Sequence, residues 1–308
     1  MTLKLATQDK ALIDFIGLYK MATVSQLAVL SNRSSQVIRR RSRALKDRGL
    51  ISFTQRIYGN KRGRPEAVIV LTKEGKRLFF EQQGICLKDK NFESNTIDFG
   101  PIEHELLVNW FLIHLKQLEK ERSEMGVDWV TLNSSIFKKA ADQHSVNIKE
   151  RMTKKDGSSK DIEFIPDAVF AIKHMELKKS LLFFLEVDRG TENIASPDRS
   201  SNDIRQKINN YQLLFHSGRY KRYEKIFDDK FNGFRLLLLA HTETRLTSLC
   251  RLVQEMPPSD FIWATHQEQM FSDGLFHNIW YRGGKKDDAP QSILGNKLAC
   301  RITLKDKM

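Results

Sequence analysis

Residues 165–192, IPDAVFAIKHMELKKSLLFFLEVDRGTE, contain two strand-like runs that are separated by a polar turn. The first run follows Asp167, and the second is apolar from 181 to 185 before it ends at Glu186 and Asp188. Charged groups at the ends of buried strands cost free energy unless they are paired or bind a metal. This stretch therefore predicts the centre of a sheet and also offers the best clue to chemistry.

The acids of this stretch are predicted to converge at one end of the sheet. Side chains alternate along a strand, so Glu186 and Asp188 point to the same side of the second run. If the two runs pair, Asp167 lies close to Glu186. Carboxylates at such an edge can hold Mg²⁺ or Mn²⁺, which suits phosphodiester hydrolysis because the metal polarises a phosphoryl oxygen and activates water. A lysine near the phosphate would assist, and Lys207 on the following helix is the candidate.

A further metal ligand could come from the helix that Pro101 opens. Glu103 or Glu105 in its first turn could contribute an oxygen, although acids at that position also suit the helix dipole.

A purely structural interpretation of the three acids stays open beside the metal hypothesis. In it, Asp167 caps a turn and Asp188 begins the turn after its strand. Glu186 would then pair with Arg189 or Arg205.

The sequence around this stretch predicts a layered α/β unit. In chain order the elements are a helix over 101–122, strands over 127–132, 167–172 and 181–187, a helix over 197–216, a strand over 235–240, a helix over 243–254 and a final strand over 261–265. The polar segment 138–163 is expected to form a long loop or an irregular hairpin, and the residues after 281 a loose polar tail. This order favours a mixed sheet covered by helices.

The first ninety residues carry the pattern of a winged helix. Three helices are predicted, over 8–20, from Thr23 or Ser25, and over 35–48, where Ser34 or Ser35 is a suitable N-cap. Strand-like runs follow at 50–53 and 67–71, and Thr72 begins a fourth helix. Two helices joined by a short turn and followed by a hairpin are typical of modules that enter the DNA major groove.

The positive charge of the chain is concentrated in this module. Residues 1–90 contain 19 Lys and Arg against 7 Asp and Glu, a net of +12, whereas the whole chain carries +13. A basic module on an otherwise neutral chain favours a polyanionic partner, most simply double-stranded DNA.

The third helix supplies the candidates for DNA contact. The residues expected to enter the groove are Arg39, Arg40 and Arg43, with Gln36 as a base reader. The residues expected to contact phosphate are Arg33 and those of a basic wing tip, Lys61, Arg62 and Arg64. The residues expected to face the core are Val37, Ile38, Ala44 and Leu45.

Composition indicates a soluble cytoplasmic protein without membrane contact. No apolar run approaches the roughly 20 residues of a membrane span, and the N-terminus lacks the form of a signal peptide. The three cysteines lie far apart, which predicts neither a disulfide framework nor a zinc site.

Several short motifs, taken in order, resemble the replication–relaxation family. They are His104-x-Leu106-x-Val108-Asn109, then Pro166-Asp167-Ala168, then FLEVDRGTE at 184–192, then Lys207 with Tyr211 four residues on. That family includes the MobC-type relaxases of mobilisable plasmids, and the resemblance spans most of residues 10–245.

The resemblance implies a winged helix joined to a body like the PD-(D/E)xK restriction-endonuclease fold. Asp167 and Glu186 match the two acids of that motif, whereas Asp188 stands where its lysine is expected, with Lys207 as the substitute. The family also implies nicking or processing of plasmid DNA at an origin of transfer or replication.

The complete sequence predicts a winged-helix domain at 1–90, a linker at 91–100, a nuclease-like α/β domain at 101–285 and a polar tail at 286–308. The favoured function is DNA processing for a mobile element, with a metal-assisted nick that uses Asp167, Glu186 and Asp188 as ligands. One alternative is a non-catalytic DNA-binding replication or regulatory factor. Another is a protein that recruits mobilisation or replication proteins, and a homodimer is compatible with each.

Overall fold

The computed structural model describes residues 5–54, 65–84, 102–130, 148–153, 159–195, 203–257 and 259–304. These residues fall into two compact units. One ends at Ile113 and also includes Leu304, and the other runs from His114 to Thr303. The boundary lies within a helix, whereas the predicted linker at 91–100 lies outside the described residues.

The N-terminal unit is a winged helix. Its elements are α1 (Thr7–Leu18), β1 (Met21–Ala22), α2 (Val24–Ser31), α3 (Ser35–Asp47), β2 (Ile51–Thr54), β3 (Val68–Leu71), α4 (Lys73–Gln82) and the first part of α5 (Ile102–Glu121). The strands form an antiparallel sheet in the order β1-β3-β2. The four predicted helices and both predicted strands are present, and β1 adds a strand that the sequence pattern does not predict.

Helices in this unit begin where small polar residues predict. Thr23, Ser34 and Thr72 are N-caps whose hydroxyls each accept a hydrogen bond from the backbone N–H three residues later. Thr23 and Gln26 complete a reciprocal capping box.

The buried stripe of α3 differs from the prediction at one position. Ile38, Ser42 and Leu45 are buried, whereas Ala44 is exposed. Helical spacing explains the difference, because 38, 42 and 45 share one face and 44 turns away from it. The prediction that Ala44 faces the core is therefore wrong.

The beginning of α5 packs within the N-terminal unit. Asn109 Nδ2 donates to the carbonyls of Tyr19 at 3.1 Å and Met21 at 2.8 Å. Gln26 Nε2 donates to the carbonyl of Leu106 at 2.9 Å. These buried amides give the carbonyls the donors that burial requires, so the unit extends beyond the predicted domain end at 90.

The second unit is built on a six-stranded mixed sheet. Its strands are β4 (Met125–Val130), β7 (Ala168–His174), β8 (Lys179–Asp188), β9 (Phe234–Ala240), β10 (Ile262–His266) and β11 (Tyr281–Arg282), in the order β11-β10-β9-β8-β7-β4. The central strands β8, β9 and β10 are parallel, and β4, β7 and β11 pair antiparallel to their neighbours.

Two further sets of elements complete this unit. A separate hairpin consists of β5 (Ile148–Thr153) and β6 (Ser159–Phe164), so the predicted hairpin interpretation of 138–163 is confirmed within the described residues. The helices are α6 (Ile204–Ser217), α7 (Arg222–Phe227), α8 (Glu243–Glu255) and α9 (Gln267–Asp273), with 3-10 turns at Arg219–Lys221 and Asn296–Leu298.

The core of the second unit lies between one face of the sheet and helices α6 to α8. Phe184 and Leu236 from the strands pack with Tyr211, Tyr223 and Leu249 from the helices. Glu186 follows Phe184 by two residues, so its side chain lies on this helix-covered face.

The end of the chain departs from the expected loose tail. Ser292 and Ile293 are fully buried, Cys300 N donates to the carbonyl of Phe276, and β11 follows the strand expected to be the last. The segment is polar in composition, but its few apolar side chains are inserted into the body.

None of the helices in the described ranges combines the length and apolar character that crossing a membrane requires.

Candidate functional site

The pairing of β7 with β8 brings Asp167 to the end of β8. The two strands are antiparallel, with Ala168 opposite Leu185. Asp167 N donates to the carbonyl of Leu185 at 3.0 Å, and Val187 N donates to Asp167 Oδ2 at 2.7 Å. The start of the first run and the end of the second therefore share one edge of the sheet, with Asp167 close to Glu186.

Glu186 is buried at this edge and is contacted from α6. Only 9% of its side-chain surface is exposed. The hydroxyl of Tyr211 donates to Glu186 Oε1 at 2.6 Å, and Lys207 Nζ lies 3.6 Å from Oε2. Lys207 Nζ also donates to Glu192 Oε1 at 2.8 Å. We call Asp167, Glu186, Glu192, Lys207 and Tyr211 the Glu186 cluster.

Burial sets the protonation of the Glu186 cluster. Desolvation, followed by the nearby Asp167 carboxylate, raises the pKa of Glu186 to about 7, although Lys207 and Tyr211 oppose this rise. Burial alone would lower the pKa of Lys207, but Glu186 and Glu192 outweigh it and hold this pKa above its usual value. The cluster thus combines a carboxyl group that titrates near neutral pH with a permanent cation.

Tyr211 is a hydrogen-bond donor in this cluster. Burial and the neighbouring Glu186 raise the pKa of the phenol well above its ordinary value. The neutral hydroxyl stabilises the charged form of Glu186. The packing of Tyr211 against Phe164 and Phe184 agrees with its predicted place on the core face.

Asp188 forms an ion pair that the sequence did not predict. Arg245 on α8 contacts both its oxygens, with Nε 2.5 Å from Oδ2 and Nη2 3.2 Å from Oδ1. Gly190 N donates to Oδ1 at 2.8 Å, so Asp188 also begins the turn after β8. Arg245 Nη2 further donates to the carbonyl of Glu192 at 2.6 Å. Asp188 therefore lies in a closed ion pair and forms no joint binding site with Glu186.

The acids at this edge of the sheet are contacted by protein donors and are not grouped as three metal ligands. Within the described ranges, no group of three or more His, Cys, Asp or Glu is arranged to hold an ion. The oxygens that could serve already accept hydrogen bonds from Tyr211, Val187 and Arg245. Of the extra ligands considered, Glu105 pairs with Lys20 at 3.2 Å in the N-terminal unit.

The purely structural interpretation of these acids holds for Asp188, which begins the turn after β8. It does not hold for Arg205 as the partner of Glu186. Arg205 pairs with Glu255 at 3.3 Å. Lys207, predicted from sequence as the cation of the site, is indeed next to Glu186. Sequence reasoning missed Arg245, Glu192 and the contact from Tyr211. The only local signal for the last is the four-residue spacing between Lys207 and Tyr211, which places both on one helix face.

The candidate DNA-contact residues of α3 and of the turn before it are exposed. Arg33, Gln36, Arg39, Arg40 and Arg43 are all exposed. Among the residues that the structure describes, the four arginines have no ion-pair partner.

Arg41 on the same helix behaves differently, because it pairs with Asp9 at 2.7 Å. The predicted wing-tip contacts Lys61, Arg62 and Arg64 lie outside the described residues.

Comparison with known proteins gives one family match. The sequence model of a family described as Replication-relaxation matches residues 13–229. No curated protein gives a significant match.

Among solved structures, three proteins illustrate the similarity found. One is a zinc-responsive MarR family member, ZitR of Lactococcus lactis, with 15% identity over 38% of this chain and 78% of that chain and a TM-score of 0.24. The second is BpsR of Bordetella bronchiseptica, whose DNA binding is regulated by 6-hydroxynicotinic acid, with 14% identity over 39% of this chain and 83% of that chain and a TM-score of 0.25. The third is a MarR family transcriptional regulator of Silicibacter pomeroyi, with 20% identity over 38% of this chain and 72% of that chain and a TM-score of 0.24. The winged helix is identified from its own element order.

Proposed function

This chain belongs to the replication-relaxation family, and we propose that its N-terminal unit binds double-stranded DNA through α3 in a replication-related role. The observation that carries this proposal is the exposed face of α3. Gln36, Arg39, Arg40 and Arg43 follow the i, i+3, i+4, i+7 spacing of one helix face, opposite the buried stripe. Arginines held at such a face without carboxylate partners suit the phosphates and guanine edges of a major groove.

The proposal is tested by fluorescence anisotropy with a labelled DNA duplex. Substitution of Arg39, Arg40 and Arg43 together by Ala should weaken binding by at least about tenfold, because each lost phosphate contact removes counterion release. The matched control is Arg77→Ala on α4, an exposed arginine that pairs with Glu74 and with Glu81 at 3.0 Å. Equal affinities of the triple variant and the unaltered chain would overturn the proposal.

A second candidate function is single-strand nicking of DNA at the Glu186 cluster, as in a nuclease of the PD-(D/E)xK type. The observation that favours it is that Asp167, Glu186 and Lys207 lie together at one edge of the sheet. The raised pKa of Glu186, about 7, also suits proton transfer at neutral pH. The adjacent Lys207 cation would stabilise charge that develops on a phosphate. The closed Asp188–Arg245 pair speaks against Asp188 as a third participant.

The nicking candidate is tested on supercoiled DNA that carries an origin-type site, with Mg²⁺ or Mn²⁺ present. Glu186→Gln and Asp167→Asn should each abolish conversion to the open circle. Nicking that survives both substitutions would exclude the Glu186 cluster as its source. Tight DNA binding without nicking under either metal would favour a non-catalytic replication or regulatory factor.

A further inference from the structure

A cleft of about 880 Å³ opens at the edge of the six-stranded sheet opposite the Glu186 cluster. The beginnings of β8, β9 and β10 form its floor, together with the chain around 229–233 and 291–297. We call it the cationic cleft because six basic side chains line it: Lys178, Lys179, Lys230, Arg235, Arg282 and Lys297. Two carboxylates, Asp229 and Asp260, also line it.

The two carboxylates of the cationic cleft are already engaged. Asp229 accepts a hydrogen bond from the Ser180 hydroxyl and lies 3.8 Å from Lys173 Nζ. Asp260 Oδ2 pairs with Arg282 at 2.9 Å. Lys230 has a partner outside the cleft, Glu224, at 3.2 Å.

The remaining four cations, Lys178, Lys179, Arg235 and Lys297, form no ion pair with any residue in the described ranges. An excess of positive charge therefore faces the opening.

Arg235 illustrates the free-energy cost of this excess of positive charge. Its guanidinium lies over the ring of Trp263 at 4.5 Å, and Nη1 donates to the carbonyl of Ile293. Burial, followed by the nearby Arg282, lowers the pKa of Arg235 to about 10. A partly buried cation without a counter-charge is unfavourable, so an anion that enters the cleft would gain from neutralising it.

An aromatic wall stands beside these cations. Phe215 and Phe261 line the cleft, are partly exposed and stack on each other with ring centroids 4.4 Å apart. Cations that track a backbone and aromatic faces that accept bases are the two parts of sites for unpaired nucleic-acid strands. A duplex would not expose its base faces to such a wall.

We propose that the cationic cleft binds a single strand of DNA, with its phosphates at Lys178, Lys179, Arg235 and Lys297 and a base against the Phe215–Phe261 wall. The inference rests on the proposed function, since it assumes that DNA is the partner of this chain. It adds a second contact surface, in the other unit, for DNA whose strands have separated.

The test uses the full chain with Arg39, Arg40 and Arg43 replaced by Ala, so that α3 contributes little. Binding of a labelled oligothymidylate is compared with and without Lys179→Glu and Lys297→Glu, two positions whose side chains are exposed. We expect the charge reversals to weaken binding by about tenfold. The control is Lys225→Glu with Arg251→Glu, which changes the net charge equally at exposed positions outside the cleft.

Three outcomes would overturn the inference. Oligothymidylate affinity that falls equally in the control would show a non-specific charge effect, and affinity unchanged by the cleft reversals would exclude the cleft. Free thymidine monophosphate serves as a competitor. If it displaces the oligonucleotide at an equal concentration, the cleft is a mononucleotide site, which would contradict the proposal that it binds a DNA strand.

The failure of this inference is distinguishable from failure of the proposed function. With α3 intact, duplex affinity should depend on the α3 arginines and not on Lys179 or Lys297. A duplex that binds regardless of the α3 substitutions contradicts the proposed function alone.

Discussion

Tyr211 donates its hydroxyl hydrogen to Glu186 across 2.6 Å, and both residues are buried. Lys207 lies one helical turn before Tyr211 on α6, so a single helix face supplies both contacts to this carboxylate. The geometry explains how an acid survives in an apolar core, since a neutral donor and a cation together offset part of its desolvation.

Tyr211→Phe should lower the free energy of unfolding by about 2 kcal/mol, because Glu186 Oε1 then loses its donor while still buried. Urea unfolding at neutral pH measures the change. Tyr220→Phe is the control, since Tyr220 packs against Phe215 and Phe234 in the same core. Equal losses for the two variants would show that the hydrogen bond to Glu186 contributes nothing specific.

Glu186→Gln should change how stability depends on pH. The folded-state pKa of Glu186 is raised from 4.5 to about 7, so between these values the folded chain binds the proton more tightly than the unfolded chain. This contribution to stability is full below about pH 4.5 and is lost as pH rises through about 7. The Gln variant should therefore gain up to about 3 kcal/mol relative to the unaltered chain between pH 4.5 and pH 8.

Thermal or urea unfolding at several pH values measures this gain. The exposed Glu176→Gln serves as the control and should leave the pH profile in place. A Glu186→Gln profile parallel to that of the unaltered chain would contradict the raised pKa.

Arg245→Met should destabilise the second unit by about 3 kcal/mol, because the Asp188 carboxylate is then buried without its cation. Addition of Asp188→Asn should recover much of the loss, since the uncompensated charge disappears. The double-mutant cycle, measured by unfolding, gives the coupling between the two residues. Additive losses would mean that the pair is not coupled.

Asn109→Ala should destabilise the N-terminal unit by about 2 kcal/mol, because the carbonyls of Tyr19 and Met21 lose their shared donor. Hydrogen exchange of the amides in α1 and β1 reports this unit selectively. The control is Lys116→Ala on the exposed side of α5. Unchanged exchange in α1 and β1 would show that α5 does not support the winged helix.

Arg40→Ala alone should reduce the slope of log affinity for duplex DNA against log salt by about one, if Arg40 neutralises one phosphate. Anisotropy titrations over a series of salt concentrations measure the slope. A weaker affinity with an unchanged slope would instead indicate a contact to a base by Arg40.

Much of the fold is predictable because its signals are local. Thr23, Ser34 and Thr72 cap helices through side chains that bond within three residues. The apolar run before Glu186 is short and ends in a turn, as is typical of a buried strand. β1 escapes prediction because two residues, Met21 and Ala22, carry no periodicity.

The candidate site is predictable only where its partners are near in sequence or on paired runs. Asp167 and Glu186 are brought together by adjacent strands. Lys207 lies on the helix that follows β8 in the chain, so only one connection separates it from Glu186. Arg245 reaches Asp188 from 57 residues away, through the packing of α8 on the sheet, and no spacing rule anticipates that contact. The alternation of side chains along β8 correctly places Glu186 and Asp188 on the same side of the strand. It does not predict which cation pairs with Asp188.

The length of strand β8 sets the distance between the cationic cleft and the Glu186 cluster. Lys179 begins it at the cationic cleft, and Asp188 ends it beside the Glu186 cluster. Ten residues at about 3.3 Å each separate the two ends by roughly 30 Å. If the proposed strand-binding cleft and the proposed nicking site both act, a strand held at one end of β8 would be cut at a fixed distance, which the length of β8 sets.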